Sequence, residues 1–326
     1  MSAVGRPITI GIHTGPQHVA YEQLRDFWIE ADRLGYDWAS IFDHFIPIMS
    51  DPLGTCLEGW TTLTALAAVT KNVRVGTLVL GVGYRHPAVL ANMAATLDII
   101  TGGRLEFGIG AGWHEMEYTA YGIEYPPPAV RIGQMAEAIQ VCTALWTEHR
   151  ANFAGKYFTL TDALCEPKPV QKPHPPIWVG GGGEQLTLRA VARYADGWNG
   201  FFGPVEAIKH KLDVLQGHCE AVGRNTSEIR KSLALGVVVR NDPAQIEERI
   251  AAIAKARNMT PEQARAMTVA GTPEEVVERL VPYAEMGIDL FIISGGAPFD
   301  YESLRLFAEQ VKPRLQARVP VVGASV

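Results

Sequence analysis

Short apolar runs and amphipathic stretches alternate from one end of the chain to the other. Ile8 to His13 is a run of strand length. Tyr21, Leu24, Phe27, Trp28, Ala31 and Leu34 then recur at spacings of three and four, which places them on one face of a helix closed by Gly35. Trp38 to Phe42 predicts a second strand and Leu57 to Thr70 a second helix. Val73 to Val82 is apolar on both faces, the pattern of a parallel strand buried from both sides. Pro87 opens a third helix that runs to Ile100, and Arg104 to Gly110 is a fourth strand.

A loop rich in Tyr and Pro follows, from Gly112 to Val130, before Ile132, Met135, Ala136, Ile139, Cys142 and Leu145 mark a fourth helix. Residues 148–175 break the rhythm and predict a hairpin followed by a proline-stiffened excursion. Strands five to eight are expected at Ile177 to Val179, Gly197 to Phe201, Leu233 to Val239 and Ile288 to Ile293. Helical stretches lie between them, including Val205 to Val222, Pro243 to Ala256 and Pro261 to Met267. Another helix starts at Thr272, and Tyr301 to Val311 is a closing helix. Eight strands, each followed by a helix, predict a (β/α)8 TIM barrel. Insertions are expected after strands four and seven and a hairpin excursion before strand five, within a single domain over residues 1–326. A doubly wound sheet would need an early G-x-G-x-x-G turn, which His13 to Val19 lacks.

Composition narrows the function classes. Of the 326 residues, 47% are apolar and 20% charged, which suits a globular chain with a sizeable core. The net charge of −6, with no basic run, argues against nucleic acid as a partner. Four scattered cysteines without a C-x-x-C pair suit a reducing compartment. No apolar stretch approaches the ~20 residues of a membrane span, and the N-terminus lacks the apolar core of a signal peptide. A cytoplasmic protein with no membrane partner is the expectation.

The densest signal is the segment Pro175 to Trp198, in which a strand runs into Gly180 to Gly183 and then a helix. Glycines there let backbone N–H groups approach a ligand, and a helix N-terminus favours an anion, so the segment is expected to cradle a phosphate. Barrel enzymes build their sites at the C-terminal ends of the strands. Those ends carry His13, Asp43 and His44, Gly81 to Tyr84, Ala111 to His114, the glycine run, and Asn199 to Phe202. His44 is a candidate acid–base group tuned by the adjacent Asp43; His13 is either a second such group or part of a turn. His86, preceding Pro87, is expected to be structural, while Trp113 and His114 either wall a pocket or pack on the rim. No metal-binding spacing and no G-x-S-x-G elbow is present. A redox cofactor is then the natural carrier of chemistry.

Asp43-His44, the segment Gly76 to Trp113 and the segment Pro175 to Asn199 together resemble the bacterial luciferase-like superfamily, and within it the coenzyme F420-dependent oxidoreductases. The resemblance covers nearly the whole chain. It implies a TIM barrel that binds the deazaflavin F420, or alternatively FMN, at its C-terminal mouth. It further implies that Asp43 touches the ring region and that His44 is the acid that protonates the substrate. A non-prolyl cis peptide is implied in strand three, at Leu78–Val79 or else Gly81–Val82. By the same likeness Gly81, Ala111 and Gly112 line the ring and ribityl chain, and Gly182, Gly183, Glu184, Leu186 and Thr187 hold the phosphate end.

The chain also departs from members that oxidise glucose 6-phosphate. Their second acid–base glutamate corresponds to Trp113, and two sugar-phosphate positions correspond to Phe201 and Pro204. An apolar or aromatic substrate is therefore expected, in a pocket lined by His13, Trp60, Trp113 and Phe201. Hydride transfer between F420 and a small organic molecule is the expected reaction. The alternatives are an FMN-dependent monooxygenase and a non-catalytic flavin-binding protein. By analogy with the group, a homodimer is expected.

Overall fold

A computed structural model of the chain describes residues 5–49 and 51–320. The first half of the barrel alternates strictly. β1 (Thr9–Thr14) leads to α1 (Tyr21–Arg33), β2 (Trp38–Ile41) to α2 (Gly59–Val69), and β3 (Arg74–Thr77) with β4 (Leu80–Gly81) to α3 (Pro87–Thr101). β5 (Leu105–Gly110) is followed by a short α4 (Glu115–Ala120) and a long α5 (Pro128–Thr147). An antiparallel pair, β6 (Ala151–Ala154) and β7 (Thr159–Ala163), then precedes β8 (Ile177–Gly180). The rest comprises α6 (Thr187–Tyr194), β9 (Gly197–Phe201), α7 (Val205–Glu220), β10 (Arg230–Val239), α8 (Pro243–Ala256), α9 (Pro261–Ala266), β11 (Thr268–Gly271), α10 (Pro273–Glu285), β12 (Leu290–Gly295), α11 (Tyr301–Leu306) and α12 (Lys312–Arg318).

The strands pair in parallel in the order β10-β12-β1-β2-β3-β5-β8-β9, and β9 returns to β10, which closes the barrel. β10 belongs to the barrel only through Leu235, where it pairs with β9 and β12. From Gly236 to Val239 it pairs instead with β11, a strand that the sequence pattern did not predict. β11 with α8 and α9 buries its own small apolar cluster of Val238, Ile246, Ile250, Ala254, Ala264 and Ala270.

The expected continuous strand Val73 to Val82 is divided. β3 ends at Thr77, the Leu78–Val79 peptide is cis, and the chain resumes as β4 beside β5. The loop expected over 112–130 likewise contains α4, and α5 already begins at Pro128.

Helix ends follow local chemistry. α1 buries Leu24, Phe27, Trp28 and Ala31, the stripe set by their spacing. His86 caps α3, its Nδ1 accepting the Ala88 N–H at 3.2 Å, and Gly102 ends that helix at φ 65°, a conformation a side chain would oppose. The N-terminal half of the barrel is plugged. Trp38 and Trp178 meet edge to face at 5.0 Å between Leu78, Leu290 and Ile292. Beneath them the buried Glu106 is bound by Arg74 and by Trp178 Nε1 at 2.5 Å. The residues at the opposite, C-terminal ends of the strands include Asp43, His44, Gly81, Ala111 and Gly180. No helix among the described residues is long and apolar enough to cross a membrane.

Candidate functional site

β2 delivers Asp43 and His44 to the mouth, and both are buried. Their partners differ from the expectation that Asp43 tunes His44. Asp43 is held by Arg85, with Nη1 to Oδ2 at 2.8 Å and Nη2 to Oδ1 at 3.0 Å, and it accepts the Gly81 N–H at 3.2 Å. Arg85 also binds Glu58, which caps α2. Burial pushes the Asp43 carboxyl up against the opposing pull of Arg85. Both of its oxygens are engaged by this scaffold.

The carboxylate on His44 comes from a residue the sequence reading missed. Glu117, on α4, lies 2.6 Å from His44 Nδ1 and accepts the N–H groups of Phe45 (2.5 Å) and Ile46 (2.8 Å) and the Tyr84 hydroxyl (2.6 Å). Its side chain has no exposed surface. Burial alone would raise the Glu117 carboxyl, but the hydrogen bonds from His44, Tyr84 and Ile46 overcome it and hold the group below its ordinary range. Aromatic rings enclose the imidazole: Phe42 at 5.3 Å, Trp113 at 5.7 Å and His114 at 5.8 Å, all edge-on.

His13 sits nearby, its Nδ1 3.0 Å from Ser40 Oγ. Burial first, and the neighbouring His44 second, lower its pKa to about 4, so His13 is neutral at physiological pH.

On the adjoining wall, Val79 projects between two glycines. A Cβ on Gly110 would stand 2.5 Å from Val79 Cγ2, and one on Gly180 2.9 Å from Cγ1. Gly81 touches Tyr84, and Gly112 takes φ 73° with Tyr118 Oη where a Cβ would be. Ala111 and Gly112 are half-buried, and the latter's carbonyl accepts from Arg131 of α5. Leu78 is turned into the barrel core.

At the far side of the mouth, Gly181 has φ 121° and Gly182 and Gly183 are exposed. Leu186 and Thr187 begin α6, whose N-terminus carries no side-chain cap. The Leu188 N–H in its first turn donates to the Gly183 carbonyl at 2.9 Å, and a Cβ on Gly182 would meet only Lys211 Cε, at 3.8 Å. Here too the sequence reading missed partners. Lys211 Nζ bonds the Gly182 carbonyl at 2.8 Å and the Glu184 carboxylate at 2.5 Å. His210 lies 3.4 Å from Glu184, and His218 Nε2 is 2.8 Å from the Glu184 carbonyl. Lys211 and then His210 hold the Glu184 carboxyl below its ordinary range. A phosphate-bearing group with a flat ring fits this set: a helix start without a side-chain cap beside Lys211, and Gly110 and Gly180 packed against Val79.

The four expected substrate-pocket residues divide. His13 and Trp113 lie at His44, and Trp113 is 60% exposed. Phe201 ends β9 with three quarters of its surface exposed, free to meet a ligand. Trp60 does not belong with them. It is buried in the core and lines a groove of about 620 Å³ between α2 and α3, on the outside of the barrel. Its position on the first turn of α2 turns the indole toward α3.

Comparison with known proteins identifies the family and the fold. The profile of luciferase-like monooxygenases matches residues 6–290. An F420-dependent glucose-6-phosphate dehydrogenase of Microbacterium testaceum (strain StLB037) is 27% identical over 336 residues, 96% of this chain and 98% of that one. An FMNH(2)-dependent dimethylsulfone monooxygenase of Pseudomonas putida is 28% identical over 289 residues, 78% of each chain. Among solved structures, an F420-dependent secondary alcohol dehydrogenase in complex with an F420-acetone adduct superposes with a TM-score of 0.82 at 22% identity, covering 95% of this chain and 99% of that one.

Proposed function

The chain belongs to the luciferase-like monooxygenase family, and from that premise we propose that it is an oxidoreductase moving a hydride between coenzyme F420 and a small organic substrate. The observation that carries the reading is His44, buried at a barrel-strand end and paired with a carboxylate, in a chain similar along almost its whole length to an F420-dependent dehydrogenase. The deazaflavin, when bound, supplies or accepts the two-electron hydride; the balancing proton falls to the protein. His44 is the group suited to carry it, because an imidazole exchanges protons near neutral pH. His13, neutral at that pH, offers a hydrogen bond without adding charge. Gly182, Gly183, Leu186 and Thr187 would bind the phosphate end through backbone N–H groups, and Gly81, Ala111 and Gly112 would flank the ring. Glu184, occupied by Lys211, would act there by orienting that lysine rather than by meeting an anion directly.

Trp113 and Phe201 favour an apolar or aromatic ketone, enone or alcohol over a sugar phosphate, since neither side chain pairs with an anion. A panel comparing such substrates with glucose 6-phosphate should show turnover for the former only. His44→Ala is expected to lower turnover on the order of 10²–10⁴-fold while leaving cofactor affinity nearly unchanged. Unaltered turnover would remove His44 from the reaction.

The Pseudomonas relative supports a second reading, an FMN-dependent monooxygenase. Fluorescence titration of the purified protein with each cofactor separates the two. Tighter binding of F420 is expected; tighter binding of FMN would reverse the assignment.

A further inference from the structure

The Glu117 carboxylate divides its two oxygens between different kinds of partner. Oε1 accepts from the Phe45 and Ile46 N–H groups, backbone donors that cannot exchange roles. Oε2 faces His44 Nδ1 and Tyr84 Oη, each at 2.6 Å. An ionised carboxylate only accepts hydrogen bonds. Nδ1 must therefore carry a proton, and the lone pair of the neutral imidazole lies on Nε2. We infer that Glu117 is a positioning residue that fixes His44 in its Nδ1–H tautomer and so makes Nε2 the nitrogen that exchanges the proton. The inference rests on the reading of His44 as the acid. In the reducing direction the Nε2–H bond breaks, an O–H or N–H bond forms on the substrate, and the ring returns to its neutral Nδ1–H form beside the carboxylate.

The location of Glu117 couples this chemistry to the mouth. It stands on α4, a six-residue helix in the segment between β5 and α5, seventy-three residues from His44. The Phe45 and Ile46 N–H groups anchor it to the chain that follows His44, so α4 cannot leave the mouth without breaking four hydrogen bonds and stripping the histidine of its carboxylate. The other groups nearest the ring are His13 from β1, Phe42 from the same strand end, and Trp113 and His114 preceding α4; none of these is a carboxylate.

Glu117→Gln tests the role. With Oε1 retained by its two backbone donors, the amide nitrogen takes the place of Oε2 and presents N–H to Nδ1. The substitution is isosteric but should invert the tautomer, putting the ring proton on Nε2. The measurement is ¹⁵N NMR of histidine-labelled, cofactor-free protein. Wild type should show a protonated Nδ1 in neutral His44, and Glu117→Gln a protonated Nε2. Turnover should fall on the order of 10²-fold or more, as a carboxylate-to-amide change beside a catalytic histidine does, while cofactor affinity and KM shift by less than about threefold.

A wild-type spectrum with Nε2–H, or a Glu117→Gln spectrum unchanged from wild type, overturns the inference. So does full turnover despite an inverted tautomer. If Glu117→Gln fails to fold, the wild-type spectrum still decides, together with Tyr84→Phe, which should keep the wild-type tautomer; inversion in that variant would assign the control to the tyrosine and overturn the role of Glu117. Normal turnover in His44→Ala would defeat the acid assignment, yet the tautomer measurement would stand, so the two failures are distinguishable.

Discussion

Glu106, Asp43 and Glu117 are buried carboxylates, and each is kept by a different partner set. Glu106 leans on Arg74 and Trp178 at the closed end, Asp43 on Arg85 and a backbone N–H, and Glu117 on four donors at the mouth. For Asp43, burial outweighs the ion pair. Removing Arg85 would then leave a buried carboxylate without its main compensation, and Arg85→Ala is expected to cost about 3–5 kcal/mol of stability, read from urea denaturation. Glu117 behaves oppositely, with its pKa held down in the folded state. A depressed carboxyl contributes stability above its unfolded pKa of ~4.3 and loses it as pH falls through the folded value. Thermal melts below about pH 5 should therefore fall less steeply for Glu117→Gln than for wild type. His44 and Asp43 were legible because a strand end in a barrel is where chemistry is sought. Glu117 and Arg85 were not, since a glutamate in a Tyr- and Pro-rich segment carries the same local signal whether it is solvated or buried.

At the level of elements, β5 is shaped by what presses on it. A Cβ on Gly108 would lie 1.9 Å from the Thr77 carbonyl oxygen, a backbone atom with nowhere to move, and Gly110 receives Val79. Gly108→Ala is expected to abolish soluble expression or to lower the melting temperature sharply; a variant with an unchanged melt would contradict this packing. Two helices meet the glycine run: α6 starts beside it without a side-chain cap, and α7 brings Lys211, His210 and His218 to Gly182 and Glu184. Periodicity announced α7 as a helix, but its face toward Glu184 depends on how β8 and β9 are set side by side. β11 escaped notice because four residues between two helical stretches carry too little alternation to read. Its pairing exists only because β10 runs four residues past the barrel.

For the whole molecule, β9 closes on β10, and one apolar cluster draws residues from Ile8 to Val319. A single cooperative unfolding transition is expected by circular dichroism and by tryptophan fluorescence, with coincident midpoints. The cofactor that binds the mouth should raise the stability of the folded state by about 2.7 kcal/mol at a free concentration of 100 Kd. A melt insensitive to both F420 and FMN would count against a flavin-type site.

The alternation of the eight barrel strands with helices, the barrel class, the glycine run after β8 and the histidine at the second strand end were determined by the sequence itself, because spacing, glycine and proline act through local backbone preference. Tertiary structure alone decided which carboxylate meets His44, that Asp43 turns to Arg85, that Trp60 packs against α3, and that Lys211 reaches the glycine run. Those are contacts between residues tens of positions apart, and their geometry follows from strand register and helix seating, which no local pattern encodes.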